Sequence, residues 1–231
     1  MSTSLAIAQD RLLSLESGII ELPTGFPLMF PTYWWTHLSG ISEVDGKIHE
    51  WKDVRQGKKL LQSIQANKPE IDGNEIVFSG NQFFSVETPF SLSQPAYIFI
   101  VWNITNNSNH RAAFAFNGSS YQRIIWLTTN NIQFRSSDGN QILLYPKTAP
   151  FDYMLHTAKL DTTARLYENG VFQGQLTFGT ITTSEFLVGV AQGGSSGFLH
   201  GKIKEILIYE TELTLIEKNR IELFLMNKHA L

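Results

Sequence analysis

The sequence predicts an all-β fold: an antiparallel jelly-roll β-sandwich with an N-terminal helical arm and a short C-terminal helix. From about residue 33 to 210, short β-type runs alternate with turn signals, and no segment of helical period interrupts them. The 231 residues are 42% hydrophobic and 12% aromatic, which is enough apolar material for a large core. One β-sandwich domain over residues 32–231 is therefore expected, preceded by a separate segment over 1–31.

The N-terminal segment carries the spacing of a packed helix over residues 4–17. Apolar residues recur at alternating steps of three and four positions, namely at Leu5, Ala8, Leu12, Leu15 and Ile19. A proline-rich stretch follows, so residues 20–31 are predicted to form a linker. Since so short a helix is marginal alone, two interpretations stay open. It docks on its own domain, or it acts as an arm that oligomerises or anchors the subunit.

The β-type runs follow one another as far as residue 209. The candidate strands are Glu75–Ser79, Ala96–Ile104, Arg111–Phe116, Arg123–Thr128, Asn131–Arg135, Gln141–Tyr145, Met154–Leu160, Ala164–Glu168, Val171–Leu176, Glu185–Val190 and Gly201–Tyr209. Pairs such as Asn169-Gly170 punctuate them, and both residue types tolerate the positive φ of tight hairpins. Ala96–Ile104 and Gly201–Tyr209 are almost continuously apolar, which predicts central strands covered on both faces.

One helix is predicted after the last strand. Thr214 and Glu217 have the spacing of a capping box, which marks a helix start. The predicted buried stripe consists of Ile216, Leu223 and Phe224. The predicted solvated side carries Lys218, Arg220 and Lys228. This helix is expected to pack against the edge of the sandwich.

Four segments together resemble one family. Gly201–Tyr209 is similar to a G-x-I-x-E-h-x-h-Y strand, where h is apolar, and Leu166–Gly170 to an L-Y-x-N-G hairpin. Ile48-x-x-Trp51-x-Asp53 and Val77–Gly80 are similar to the entry segment and a following strand. Over roughly residues 45–228 the chain resembles the concanavalin A-like lectin/glucanase superfamily, in the laminin-G-like jelly-roll form found in phage tail fibres, head knobs and decoration proteins. One departure is residues 54–57, where the family usually has a compact Ser/Gly turn.

Enzymatic chemistry is not expected. Glucanases of this superfamily carry two carboxylates on one strand, about 5–5.5 Å apart in retaining enzymes. The only Glu-x-Asp here is Glu43-Val44-Asp45, and the following Gly46-Lys47 leads us to interpret this segment as a turn rather than a strand. The absence of cysteine also excludes thiol catalysis and disulfides.

Metals, cofactors and polyanionic partners are not expected either. The histidines lack metal-ligand spacing, and His156, on a predicted strand, is interpreted as a hydrogen-bonded structural residue. The resemblance allows Ca²⁺, but the loop acids form no dense cluster: Asp45, Asp53, Asp72, Asp138 and Asp161. A net charge of −3 argues against nucleic acid, and the lack of a long apolar stretch argues against membrane insertion.

Sugar recognition needs polar side chains for hydroxyl groups beside apolar or aromatic surface. The residues predicted to bind a ligand are Asn106, Asn107, Tyr121, Arg123, Trp126 and Arg135. Trp51 and Trp102 are interpreted as core residues, and the Trp34-Trp35 pair as residues that dock the linker.

The function predicted from these observations is a non-enzymatic virion structural or adhesion protein. Its sandwich would bind cell-surface glycan or neighbouring virion subunits, and its arm would form a homo-oligomer, in the first place a trimer. The N-terminus lacks the basic and apolar regions of a cleaved signal peptide, which fits assembly into a particle. Two alternatives remain: a free-standing, extracellular bacterial lectin-like protein, and a glucanase-type glycoside hydrolase.

Overall fold

A computed structural model describes residues 29–73, 75–106, 111–117, 123–128, 130–136, 141–148, 150–181, 185–191 and 196–231. The predicted helix over 4–17 and its seam residues lie outside these ranges, as does the linker up to residue 28. The division into an arm and a sandwich domain therefore stays a prediction.

Strands make up most of the described chain, with one helix at its end. In chain order they are β1 (Tyr33–Thr36), β2 (Ile41–Val44), β3 (Lys47–Lys52), β4 (Lys59–Leu61), β5 (Glu70–Asp72), β6 (Glu75–Ser79), β7 (Phe84–Val86), β8 (Ala96–Ile104), β9 (Arg111–Asn117), β10 (Arg123–Leu127), β11 (Asn131–Arg135), β12 (Ile142–Pro146), β13 (Phe151–Leu160), β14 (Thr163–Glu168), β15 (Val171–Thr177), β16 (Glu185–Val188), β17 (His200–Tyr209) and α1 (Leu215–His229). The antiparallel pairing and the C-terminal helix confirm the predicted fold class.

The strands form two antiparallel layers. The first sheet runs β15-β14-β13-β8-β17, and the far edge of β17 pairs with β1 along one half and with β6, followed by β5, along the other. The second sheet runs β2-β3-β4-β7-β16-β9-β10-β11-β12. One register pair between β3 and β5 joins the two sheets.

The main core lies between the two sheets, and β8 shows why the layers hold together. Its Ile98, Ile100 and Trp102 side chains lie in the main core cluster with the aromatic residues of the second sheet. Its alternate residues, among them Phe99, belong to a second cluster that also contains inward-facing residues of α1. The prediction that Ala96–Ile104 is covered on both faces is thereby confirmed.

The tryptophans show the same division between two clusters. Trp51 and Trp102 are fully buried in the main core, as predicted. Trp34 and Trp35 are consecutive residues of β1, and they enter opposite clusters, Trp35 the main core and Trp34 the layer under α1. They are thus structural residues of the sandwich itself.

The first strands of the sandwich are the ones the sequence predicted least well. Each predicted run from residue 75 onward has a counterpart, whereas β1 to β5 and β7, each of three to six residues, were not singled out. The interpretation of Glu43–Lys47 as a turn is wrong at both ends. Glu43 and Val44 belong to β2 and Lys47 opens β3, and only Asp45 and Gly46, with φ of 52° and 71°, form the turn between them.

The loop after β3, over residues 54–57, is organised by Asp53. This buried carboxylate accepts hydrogen bonds from the backbone N–H groups of Trp34, Arg55 and Gln56. Gly57 closes the loop at a φ of 74°, with its N–H donating to the Asp53 carbonyl oxygen. A buried carboxylate thus fixes the backbone of this loop.

The C-terminal helix begins as predicted but turns a different face to the protein. The Thr214 side chain accepts the Glu217 N–H, and the Glu217 carboxylate accepts the Thr214 N–H, so the capping box is confirmed. Contrary to prediction, Ile216 and Leu223 are exposed. The buried face consists of Lys218, Ile221, Glu222 and Leu225.

The helix lies on a face of the first sheet rather than at its edge. Ile221 and Leu225 pack in the second cluster with residues of β8, β13 and β17. Ion pairs flank this apolar contact, because Lys218 Nζ lies 2.6 Å from Glu222 Oε2 and 4.1 Å from the Tyr167 ring centre. These contacts neutralise the buried charges that the helical stripe did not anticipate.

At the other end of the helix, the predicted solvated Lys228 reaches a buried carboxylate. Its Nζ lies 2.8 Å from both oxygens of Glu205, a fully buried residue of β17. His229 Nε2 lies 2.6 Å from Glu205 Oε2, and the Trp34 indole N–H donates to Oε1. Burial opposes ionisation of Glu205, but Lys228 and His229 outweigh it and lower its pKa to about 2.

Candidate functional site

Three of the predicted ligand-binding residues lie on neighbouring strands of the second sheet. Arg123 and Trp126 belong to β10 and Arg135 to β11, and the two strands pair antiparallel, with Trp126 opposite Gln133. The side chains of Arg123 and Trp126 lie outside what the structure describes.

The remaining predicted residues are not brought to these strands. Asn106 is exposed in the segment that follows β8 of the first sheet. Asn107 and Tyr121 lie outside the described residues, so their part of the predicted site stays a prediction.

Strand alternation turns Arg135 toward the outside of the sandwich. Ile132 and Phe134 of β11 are fully buried in the main core, so Gln133 and Arg135 point to the outer face. There Arg135 Nε donates a hydrogen bond to Gln133 Oε1 at 3.2 Å. The two side chains therefore form a fixed polar pair.

The neighbouring strand supplies apolar surface beside this pair. In the β11–β12 register, Leu144 is opposite Gln133 and Ile142 is opposite Arg135. Both are unusually open for large aliphatic residues, 52% and 44% exposed. We call the surface formed by Gln133, Arg135, Ile142 and Leu144 the β11–β12 face.

The chemistry of this face depends on the N–H donors of Arg135 that have no acceptor among the described residues. The guanidinium carries five N–H donors and stays charged, and only Nε has a hydrogen-bond acceptor among the described residues. No carboxylate in the described part of the chain lies within ion-pair distance of it. The face can thus donate to hydroxyl or carboxylate oxygens while Ile142 and Leu144 contact C–H groups.

A buried hydrogen-bond chain lies beneath the face and ties β12 to the first sheet. The Tyr145 hydroxyl contacts His156 Nε2 and donates to Glu168 Oε2 at 2.9 Å. Lys147 Nζ donates to Glu168 Oε1 at 2.9 Å, and the Trp102 indole N–H donates to His156 Nδ1 at 2.8 Å. We call these five residues the His156 chain.

The donors in the His156 chain determine its protonation. An indole N–H can only donate, so His156 Nδ1 must be unprotonated. Nε2 then carries the ring proton and donates to the Tyr145 oxygen, which leaves the Tyr145 proton for Glu168. His156 is therefore a neutral, hydrogen-bonded core residue, as the sequence suggested. The sequence did not predict the hydrogen-bond partners of His156. The available signal for a buried polar residue was its position between Met154 and Ala158, which are alternate residues of the same strand and lie in the main core.

We expect the His156 chain to make the protein acid-sensitive. Burial lowers the pKa of His156 from 6.5, and burial likewise lowers the pKa of His37 and His200. Burial opposes ionisation of Glu168, but the hydrogen bonds that its carboxylate accepts and the Lys147 charge outweigh it and lower its pKa to about 2 from 4.5. The unfolded chain therefore binds more protons than the folded one below about pH 6.5.

The stability of the folded protein is therefore expected to fall as the pH is lowered. Stability is fully present above pH 6.5, declines as the unfolded histidines take up protons, and falls further as the pH drops from 4.5 toward 2. Circular dichroism melting at pH 7, 5 and 3.5 should give successively lower Tm values. His156→Gln, which cannot titrate, should show a smaller decline between pH 7 and 5. A higher wild-type Tm at pH 5 than at pH 7 would contradict this.

A concavity separate from the β11–β12 face is formed by loops of the sandwich. It has a volume of about 260 Å³, and the Gln94 amide braces its wall by donating to the Gly179 carbonyl oxygen and accepting the Ile181 N–H. We call it the Gln94 cleft, and it is lined by Leu92, Gln94, Asp161, Thr162, Gly179 and Thr180. Its polar groups make it the competing position for a small hydroxylated ligand.

Among the described residues, no three His, Asp or Glu side chains are grouped so as to hold a metal ion. Within the same part of the chain, no helix has the length and apolar character needed to cross a membrane.

Comparisons with known proteins give structural matches only. No protein-family model matches the sequence, and no curated protein matches it. The binding domain of botulinum neurotoxin serotype D superposes with a TM-score of 0.58 at 10% identity, covering 85% of this chain and 51% of that one. A sialidase of Trypanosoma rangeli gives a TM-score of 0.62 at 12% identity, covering 90% and 35%.

A third neighbour is the ligand-binding domain of botulinum neurotoxin serotype D in complex with N-acetylneuraminic acid. Its TM-score is 0.55 at 10% identity, with 84% of this chain and 50% of that chain covered. This chain thus spans about half the length of the neurotoxin domains and about a third of the sialidase. At these identities the matches show the sandwich fold that the sequence predicted.

Proposed function

We propose that this chain is a non-enzymatic, lectin-like module that holds a glycan on its β11–β12 face. The observation that carries the proposal is the pairing of Gln133 and Arg135 with the exposed Leu144 and Ile142 directly opposite. A sugar ring presents hydroxyl groups at its rim and C–H groups on its faces, and such a surface complements both.

The Arg135 guanidinium, which has no carboxylate partner among the described residues, narrows the class of glycan. A planar donor pair matches a carboxylate in two-point geometry, so Arg135 favours acidic sugars over neutral ones. The neurotoxin domain bound to N-acetylneuraminic acid supports the proposal to the extent that a sandwich-containing neighbour binds an acidic sugar. The His156 chain supports it structurally, because Tyr145 fixes β12 from beneath.

A binding role without turnover fits the position of the Glu-x-Asp pair. Glu43 lies at the end of β2, whereas Asp45 lies in the following turn at a φ of 52°. The two carboxylates are therefore not alternate residues of one strand, as the paired catalytic acids of a glucanase are.

The setting we propose is the surface of a phage particle, as the resemblance of the sequence implies. There the sandwich would face outward, and residues 1–31 would anchor the subunit or join it to its copies. The alternative is a free bacterial lectin-like protein outside the cell. Copurification of the chain with intact particles, rather than with the soluble fraction of a lysate, supports the first setting.

Binding to an array of acidic and neutral glycans tests the proposed function. We expect saturable binding to carboxylated glycans, weakened about tenfold by Arg135→Ala, since a hydrogen bond to a charged group contributes about 1.5–3 kcal/mol. Leu144→Ser should weaken it less, by a few-fold.

The matched controls are Arg165→Ala, at an exposed position of β14, and Val171→Ser, at an exposed position of β15, and both should leave affinity unchanged. Equal affinity in wild type and both face variants would reject the site. Release of reducing ends from a bound glycan would reject the non-enzymatic role.

A further inference from the structure

The helix α1 leaves an apolar stripe on its outer side. Leu215, Ile216 and Leu223 are 67%, 65% and 55% exposed, although the sequence places Ile216 and Leu223 in the stripe expected to be buried. Seven residues separate Ile216 from Leu223, so they lie on the same side of the helix, roughly 10 Å apart along its axis. We call these three residues the outer stripe.

The described chain begins beside this helix. Met29 packs against the second cluster, the same layer that Ile221, Leu225 and the terminal Leu231 cover. The Tyr209 hydroxyl donates to the Met29 carbonyl oxygen at 3.3 Å and so ties the entry point to the last strand. The described chain therefore begins at the layer that α1 covers.

The preceding segment has both the pattern and the reach to cover the outer stripe. Its seam of Leu5, Ala8, Leu12, Leu15 and Ile19 needs an apolar partner, because an isolated helix of this length is marginal. The connection over residues 20–28 can extend to roughly 30 Å. The 15-residue α1 is about 22 Å long, so the whole outer stripe lies within range.

We propose that residues 4–19 of the same chain form a helix that packs its seam on the outer stripe of α1. Tethering raises the effective concentration of the segment at this surface to about the millimolar range, well above the micromolar concentration of other copies. In the free subunit, the N-terminal segment thus packs on the C-terminal helix of the same chain.

Cysteine cross-linking tests the docking, because the natural chain contains no cysteine. Leu12 or Leu15 is replaced by Cys together with Ile216 or Leu223, and the full-length variants are oxidised mildly at micromolar concentration. At least one pair should form an intramolecular disulfide about tenfold faster than the control pair Leu12→Cys and Ile142→Cys, which places the second thiol on β12. Rates equal to the control in all pairs would overturn the proposal, and so would disulfides that form only between chains.

Limited proteolysis gives a second measurement that needs no cross-link. Arg11 is the only Lys or Arg among residues 1–28, so trypsin can report on the segment at one bond. Leu223→Asp changes an exposed side chain and should speed cleavage after Arg11 about tenfold, whereas Val171→Asp on β15 should not. Equal cleavage rates in wild type and Leu223→Asp would contradict the docking. Neither outcome depends on glycan binding.

Discussion

Replacing Gly201 by alanine is expected to lower the free energy of unfolding by about 3 kcal/mol. A Cβ at this position would lie 2.1 Å from the carbonyl oxygen of Asn103 and 3.1 Å from Cα of Ile104. Both are backbone atoms of β8, directly across the central β8–β17 ladder, so no side chain can move aside. The two strands must separate locally, which weakens this end of the ladder between the two central strands of the first sheet. Urea denaturation measures the change in the free energy of unfolding. Thermal unfolding should show a Tm decrease of about 6–12 °C.

The matched control is Gly46→Ala in the turn between β2 and β3. A Cβ there meets no atom within 4 Å, so only the positive φ of 71° opposes the side chain. We expect that variant to lose about 1 kcal/mol. If Gly201→Ala were no more destabilising than Gly46→Ala, the close approach of β8 and β17 would be wrong.

Glu205→Gln is expected to destabilise the protein by a similar amount, about 3 kcal/mol. The substitution keeps the side-chain volume but removes the negative charge that faces Lys228 and His229. Breaking a buried ion pair by removing one partner typically costs 3–5 kcal/mol, and the lower end fits because Lys228 is partly exposed. Since these contacts hold the end of α1, the helix should lose protection from hydrogen exchange before the strands do.

The control for Glu205 is Glu70→Gln on β5. Glu70 is paired with Lys47 at 3.2 Å but is nearly half exposed, so the change should cost less than about 1 kcal/mol. Chemical denaturation of the two variants side by side gives the difference. Equal stabilities would show that the buried carboxylate does not fasten the helix.

The strands that the sequence predicted well share strong local signals. Asn131–Arg135 matches its predicted bounds because polar and buried residues alternate along it. The hairpin at Leu166–Gly170 was predictable because Asn and Gly are the residue types that tolerate positive φ, and Asn169 and Gly170 adopt it. The strands before residue 75 carry shorter patterns, and a three-residue strand such as Lys59–Leu61 holds too few alternations to detect.

Partners from distant strands explain what the sequence could not give. The helical pattern placed Ile216 inside and Lys218 outside, because nothing in the helix itself indicates that Lys218 lies against the Tyr167 ring of β14. The Lys218–Glu222 pair is four residues apart on α1, and that spacing alone does not say which face of the helix is buried. In the sequence, Glu205 was only one position of the strand pattern at Gly201–Tyr209. Its role as a buried partner of Lys228 and Trp34 is visible only in the structure.

The candidate site was predictable only in part for the same reason. Arg135 was selected as a polar residue near a turn, and the structure supplies its orientation through Ile132 and Phe134. Ile142 and Leu144 were overlooked because the register of β11 with β12 decides that they stand beside it. Asn106 was grouped with Arg135 by closeness in sequence, although it follows a strand of the other sheet.

The central claim is that the β11–β12 face holds the glycan, and an NMR titration with an acidic glycan from the array tests it most directly. We predict that the Arg135 Nε–H signal and the side-chain signals of Gln133, Ile142 and Leu144 shift saturably, with one dissociation constant. Signals of the Gln94 cleft, read at Thr162 and Gly179, should stay in place. Saturable shifts confined to that cleft, with the Arg135 signal unmoved, would contradict the claim.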